Sequence, residues 1–415
     1  MKTKDSRNIA KFSLLVFFLA IMGMPAQSQQ FHTLYWMQGI PQSTFANPGL
    51  QPNPNYFVGL PGISSIYTGI ANTGFAMEDI LKKNDTGGLY IDDESFLDLL
   101  RDREFMVFDV NVDILSFGFR ARQKNYFTFS MSERVETRMG YSKDFIRLAV
   151  EGNDYFRQQG TEAQIGGFAM DLIHFREFAA GFSRKWTDQI TAGARLKVLQ
   201  GMANLNFERT NLGLFTAEDN YAISLRADML INKSFPIVIA PLEDITGDFN
   251  LDDLDQTGYV TNFGNMGFAV DFGGVYQPME KLSVAFSVRD LGFLQWKTDV
   301  ENVAVKGELD FDGLDFDEIF GEVGEERIDE ITDSIINLFD LQETTNAYTL
   351  TMNPRVFVSA AYHLTHMHKF AILGRGEMYA GNLYPSVTLS YNFQPINRFG
   401  STLSYSWIHG NFHNI

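Results

Sequence analysis

Three imidazoles fall within six residues at His363-Leu364-Thr365-His366-Met367-His368. Donors that close together on a turn could hold a transition metal. No carboxylate lies nearby in sequence, and the plainer reading is a solvated polar turn. Asp248-Phe249-Asn250-Leu251-Asp252-Asp253 starts like a calcium loop. However, Asp253 stands where such a loop needs glycine, and Tyr259 stands where it needs a bidentate glutamate. An EF-hand is excluded, and only a looser oxygen site stays open. From Glu308 to Glu343 the chain carries fourteen carboxylates against one base, Arg327. The plain expectation is a solvated surface segment. The sharper ones are divalent cations bridging its carboxylates, or docking of a cationic partner. The last group is Asp109, Asp113, Arg134, Glu136 and Arg138, charges at even spacing on the polar face of alternating runs. No nucleophile elbow, glycine-rich phosphate loop or His-Glu-x-x-His run is present. The sequence therefore predicts no catalytic residue, no resident metal, no cofactor and no enzyme.

The elements that carry those charges show a two-residue rhythm. Phe108, Val110, Val112 and Ile114 alternate with Asp109, Asn111 and Asp113. The phase slips at Leu115-Ser116 and resumes with Phe117 and Phe119, which predicts a β-bulge. Next, Phe127, Phe129, Met131 and Val135 oppose Ser130, Ser132, Arg134, Glu136 and Arg138. Similar runs follow at Leu282–Val288, Val356–Tyr362, Val387–Phe393 and Leu403–Trp407. Each is about the ~9–11 residues that cross a bilayer as a tilted strand. A soluble sandwich would alternate too, but it would not place charges on the face that meets its other sheet.

The ends of these runs predict the connections. Aromatic residues close strands at four short turns: Trp186–Ile190, Tyr276–Lys281, Tyr362–Lys369 and Phe393–Asn397. Long connections are expected from about Phe293 to Ala347, with a helical pattern over Asp315–Leu341, and from Ser234 to Asn265. Phe96–Asp102 and Lys143–Val150 read as shorter helices, and Gln164–Trp186 as one long strand or a hairpin broken near His174-Phe175-Arg176.

The beginning of the chain predicts export. Lys2, Lys4, Arg7 and Lys11 precede an apolar stretch from Phe12 to Met22, and small residues flank a cut after Ser28. That is a cleavable leader rather than an anchor, which needs about 20 apolar residues. With no cysteine, lipidation, disulfides and thiol chemistry are excluded. Removing the four bases and Asp5 of the leader takes the formal charge from −18 to −21. A chain this acidic is not expected to bind nucleic acid.

Several segments carry a resemblance: Asn47-Pro48, Gly59–Tyr67, Phe175–Arg184, Gly193–Lys197 and Ser390–Phe393. Over essentially the whole mature chain the sequence resembles an uncharacterised, domain-of-unknown-function family of Bacteroidota outer-membrane barrels. That family is in turn similar to FadL-type fatty-acid channels and to the PorV barrel of a secretion system. The resemblance implies about fourteen strands with an N-terminal segment in or near the lumen. It carries no functional residue onto this chain.

The expected fold is all-β, a transmembrane antiparallel β-barrel of about 14 strands with short helices in its loops. The expected division is a leader (1–28), an N-terminal luminal or periplasmic segment with the first strands (29–103) and the barrel (104–415). Strand parity predicts that a last strand or strands are missing after Ile415. Asp109, Asp113, Arg134, Glu136 and Arg138 should face the lumen. The leading functional expectation is a FadL-like passive channel for a small hydrophobic solute in the outer membrane of a Gram-negative bacterium. The alternative is a non-transporting scaffold for a secretion or cell-surface complex, and an embedded enzyme is a distant third. Expected partners are outer-membrane lipid, a hydrophobic small molecule or a surface protein, and divalent cations on the acidic outer loop.

Overall fold

The computed structural model describes residues 35–37, 40–61, 64–74, 81–83, 89–91, 93–167, 169–235, 256–311, 340–396, 399–408 and 411–414. The leader, the Asp248–Asp253 run and most of the acidic stretch lie outside the described residues.

After a single helical turn, α1 (Ser43–Ala46), come two short strands, β1 (Tyr56–Gly59) and β2 (Ile66–Asn72). A small hairpin, β3 (Leu81–Lys83) and β4 (Leu89–Ile91), leads to helix α2 (Asp93–Leu99). The long strands begin with β5 (Arg103–Ala121) and β6 (Asn125–Ser142). Helices α3 (Lys143–Glu151) and α4 (Asp154–Gln159) and a stub, β7 (Ala163–Gln164), precede β8 (Ala169–Lys185), β9 (Ile190–Thr216) and β10 (Ile223–Ser234). Helix α5 (Gln256–Thr261) is followed by β11 (Met266–Met279), β12 (Leu282–Trp296) and β13 (Val300–Phe311). The chain continues through β14 (Asp340–Thr344), β15 (Tyr348–Thr351), β16 (Arg355–His363) and β17 (His368–Tyr379). It finishes with β18 (Asn382–Ile396), β19 (Phe399–Ile408) and β20 (Asn411–Asn414).

Every pairing among the described strands is antiparallel, so the sheet follows the chain as a meander. The bulge predicted near Leu115 lies between Asp113 and Leu115, where Ile114 has no partner on β6. Short turns gather at one edge of the sheet, including one at Arg122–Gln123 where both residues take left-handed φ values of 50° and 57°.

Several columns of the sheet are built from more than one piece. β10 and β11 both pair with the same side of β9, Ser234 facing Asn204 and Met266 facing Gln200. They act as one strand interrupted by residues 235–265. β12 and β13 are interrupted at the same height, since Val300 faces Ser234 and Gln295 faces Met266. Asn265 pins the two breaks together. Its Oδ1 accepts from the backbone N–H groups of Lys297 (2.7 Å) and Thr298 (3.0 Å), while its Nδ2 donates to Ser234 Oγ (3.1 Å).

One open choice is resolved and two expectations need correction. Within Gln164–Trp186, Ala169–Lys185 form one unbroken strand, β8, rather than a hairpin, while Gln164 belongs to the stub β7; the irregularity of β8 against β9 lies between His174 and Phe175. The long loop expected from Phe293 is shorter, because Val300–Phe311 and Asp340–Thr344 are strands. Their alternation is concealed by charges on both faces, as in Glu301, Lys306, Glu308 and Asp310, a pattern suited to a ribbon with water on both sides. The first short helix occupies Asp93–Leu99 rather than Phe96–Asp102.

The sheet is strongly curved. β6 and β12 are separated by β8, β9 and β11, which would set them roughly 19 Å apart in a flat sheet. Yet Arg134 of β6 reaches Asp290 of β12 at 3.0 Å. Apolar rows occupy the outer face: Leu196 is 66% exposed, whereas its neighbour Lys197 on the inner face is 2% exposed. The arrangement is inside-out by comparison with a water-soluble sheet.

Candidate functional site

The inner face holds a lattice of charges. Arg134 donates to Glu136 (2.6 Å), Glu177 (2.8 Å) and both carboxylate oxygens of Asp290 (3.0 and 3.1 Å). Lys197 reaches Asp290 (2.6 Å), Asp271 (2.8 Å) and Glu177 (3.3 Å). Arg355 bridges Asp290 and Glu136, both at 3.0 Å, and extends to Glu377 at 3.3 Å. Arg138 joins Glu377 (2.8 Å) to Asp109 (2.5 Å), and Arg195 lies 3.4 Å from both Glu177 and Asp271. These residues come from β5, β6, β8, β9, β11, β12, β16 and β17. Each strand contributes through its alternate, inward positions.

Asp290 is the hub, and a backbone distortion puts it there. The register between β11 and β12 skips at Val270/Phe272, so Arg289 and Asp290 together oppose Asp271. Asp290 takes φ 60°, the left-handed region that Asp tolerates better than most residues. Its N–H donates to Asp271 Oδ1 at 2.8 Å. A buried lattice of this kind loses much of its Coulombic gain to desolvation. Its consequence is specificity: no strand can shift register without leaving a charge unpaired.

Of the five charges singled out in the sequence, Arg134, Glu136, Arg138 and Asp109 are brought together in this lattice. Asp113 is 3% exposed, and its Oδ2 has no protein hydrogen-bond partner. Sequence reading missed Glu177, Arg195, Lys197, Asp271, Asp290, Arg355 and Glu377. Arg195, Lys197 and Asp271 could have been found by the same alternation: Arg195 and Lys197 flank Leu196, and Asp271 lies between Val270 and Phe272. Asp290 is hidden because the bulge breaks the phase at that point.

The three histidines of 363–368 do not assemble. His368 Nδ1 lies 2.6 Å from Tyr391 Oη, and its ring stacks on Phe393. Among the described residues no three His, Cys, Asp or Glu side chains form a metal-holding group.

Below the lattice, toward the short turns, the N-terminal segment packs against the inner face. Tyr35, Trp36, Ala46 and Leu50 form a buried cluster with Val275, Ala285, Phe357, Ala361, Ala371 and Leu373. Asn47 Nδ2 donates to Tyr35 Oη (2.8 Å) and to the carbonyls of Gly274 and Phe286 (both 3.3 Å). The segment lies so close that a Cβ on Gly193 would come 2.4 Å from the Pro48 carbonyl oxygen, and one on Gly273 2.2 Å from Asn47 Oδ1. Lys369 donates to the Trp36 carbonyl.

Above the lattice is a cavity of about 500 Å³. Glu136 and Arg138 belong to its lining, as do Asp171, Ile173, Glu208, Tyr348, Met352 and Tyr379.

One polar group lies on the outer face. Glu133 pairs with Arg176 and lies 3.4 Å from His174, whose Nδ1 meets Tyr259 Oη of α5 at 2.6 Å. Burial pushes the Tyr259 phenol up to about 12, so it remains neutral. α5 covers this part of the wall, where Gln200 donates to the carbonyls of Val260 and Asn262.

A curved antiparallel meander with a polar interior and an apolar exterior defines the class. The chain belongs to the family of unknown function DUF5723, whose model matches residues 48–415. No curated protein matches it. Among solved structures it is similar to a Pseudomonas aeruginosa FadL homologue, with 10% identity, a TM-score of 0.38, and coverage of 88% of this chain and 75% of that one. It is also similar to the Pseudomonas putida toluene transporter TodX, with 10% identity, a TM-score of 0.34, and coverage of 88% and 87%. The RagAB peptide transporter matches at 9% identity and a TM-score of 0.25, covering 74% of this chain and 35% of that one.

Proposed function

We propose that this chain is an outer-membrane β-barrel, exported by its leader, that stands shut and serves as a scaffold for a secretion or cell-surface complex. The observation that carries this reading is the buried charge lattice. It ties eight strands together across the interior, and the N-terminal segment packs beneath it. An open pore keeps its centre hydrated and its charges on the wall, whereas here they meet in the middle. The outward rows of Phe, Val and Leu support a lipid-facing exterior. Among the described residues no helix is long and apolar enough to cross a membrane.

A second reading has its own observation. The cavity above the lattice supports passage of a small solute if the lattice and N-terminal segment rearrange, as a gated relative of the FadL-type channels would.

Planar-bilayer recording separates the two. The purified protein is expected to show no steady ion conductance. Gly193→Val, which would press a branched side chain against the Pro48 carbonyl, is expected to loosen the N-terminal segment and produce intermittent openings. Free conductance by the unaltered protein would overturn the closed-barrel reading. Solute-dependent openings would favour the gated channel, and a protein partner retained on purification would favour the scaffold.

A further inference from the structure

We propose that the cavity above the charge lattice is a binding site for a small organic ammonium ion with an apolar body. The inference goes beyond the scaffold reading and does not need the barrel to open. At about 500 Å³ the cavity lies within the range that holds small organic ligands. Ile173, Phe207, Leu350 and Met352 supply apolar lining on one part of it.

The charge balance of the lining sets the sign of the ligand. Glu136 and Arg138 are already neutralised by the lattice, through Arg355 for the first and through Asp109 and Glu377 for the second. Asp171 and Glu208 are different. Asp171 accepts from Asn206 Nδ2 (2.8 Å), the Phe207 N–H (3.1 Å) and the Tyr379 hydroxyl, all neutral donors. Glu208 accepts from Asn232 Nδ2 at 2.7 Å, again neutral. Among the described residues neither carboxylate forms an ion pair. Asp171 faces Arg138 across the β6–β8 register without an ion pair to it, and Glu208 likewise forms none, so two unpaired carboxylates border a cavity whose other side is apolar. An ammonium group would supply the missing charge, and its hydrocarbon body would cover the Ile173–Met352 side. The same field rejects carboxylates, so a fatty-acid anion is disfavoured here. Tyr348 lines the cavity and stacks on Trp296, with ring centroids 6.5 Å apart, which gives an optical reporter.

The test uses the purified full chain in detergent and three probes of one shape: phenethylamine, 2-phenylethanol and phenylacetate. Calorimetry and tryptophan fluorescence are expected to show phenethylamine binding on the order of 1 mM, with the alcohol weaker and the acid undetectable. Glu208 is exposed, so Glu208→Gln is expected to fold normally and to weaken phenethylamine about twofold to fivefold. Glu208→Lys should reverse the preference toward phenylacetate. Equal binding of amine and acid, no binding of the amine, or indifference to both substitutions would each overturn the proposal. Because none of these readouts involves conductance, the site can fail while the closed barrel stands, and the reverse.

Discussion

At the scale of single residues, the decisive feature is that one aspartate holds three cations. Asp290 meets Arg134, Lys197 and Arg355 within 3.0 Å each and is 2% exposed. Removing its charge leaves those cations to share Glu136, Glu177, Asp271 and Glu377, with one negative charge fewer in a buried lattice. Loss of one partner from a buried ion group costs about 3–5 kcal/mol. Asp290→Asn keeps the left-handed backbone that Asn also tolerates, so its effect isolates the charge from the bulge. A loss of about that size is expected in the urea midpoint of heat-modifiable gel mobility. A change under 1 kcal/mol would mean that the remaining carboxylates, not Asp290, neutralise the three cations. The alternation rule places Arg134, Glu136, Arg138 and Asp109 on one face because Phe108, Val110, Phe127, Phe129, Met131 and Val135 set the phase of the other. The same rule was blind to Asp290, whose neighbours are out of phase by the bulge itself. No rhythm in the sequence reports a residue whose position is set by the failure of the rhythm.

Elements that were legible share a property: both faces have a fixed environment. β5, β6, β17 and β18 alternate cleanly because one side meets the charge lattice or other polar groups and the other is apolar and exposed. β13 and β14 carry charges on both sides and read as loop. The breaks at Ser234/Met266 and Trp296/Val300 were likewise invisible, since Asn265 holds them through two backbone N–H groups and the Ser234 hydroxyl rather than through a patterned side chain. That asparagine satisfies two N–H groups that no strand partner reaches. Each buried, unpaired N–H costs about 1–3 kcal/mol. Asn265→Ala is therefore expected to destabilise by about 2–4 kcal/mol, and to raise hydrogen exchange at Lys297 and Thr298 before the rest of the sheet. Uniform exchange across β12 and β13 would show that the break is not held by this side chain.

For the molecule as a whole, composition spoke to class and was silent on use. Abundant aromatics, no cysteine and a two-residue period all point to strands with opposite faces in opposite solvents. Whether the centre is open depends on pairings between residues such as Arg138 and Glu377, 239 positions apart in the chain. Such pairings have no local signature. The cavity is similarly assembled from β8, β9, β15 and the turn after β17, and no single stretch of sequence announces it.

β9 is longer than any membrane crossing requires. Its 27 residues, at about 3.3 Å each, measure roughly 90 Å along the strand. Tilted by about 40°, that length rises some 70 Å, against an apolar band of about 25 Å. Beyond Asn206 it carries a polar stretch, Glu208-Arg209-Thr210-Asn211, before Leu212, Leu214 and Phe215, and β10, β13 and β14 extend the ribbon beside it. In the proposed outer-membrane barrel, this surplus would stand clear of the lipid on one side as a stiff mast. Atomic-force imaging of the protein in supported membranes should record a protrusion of about 30–40 Å on one side only; a profile level with the headgroups would mean that the ribbon lies flat on the membrane.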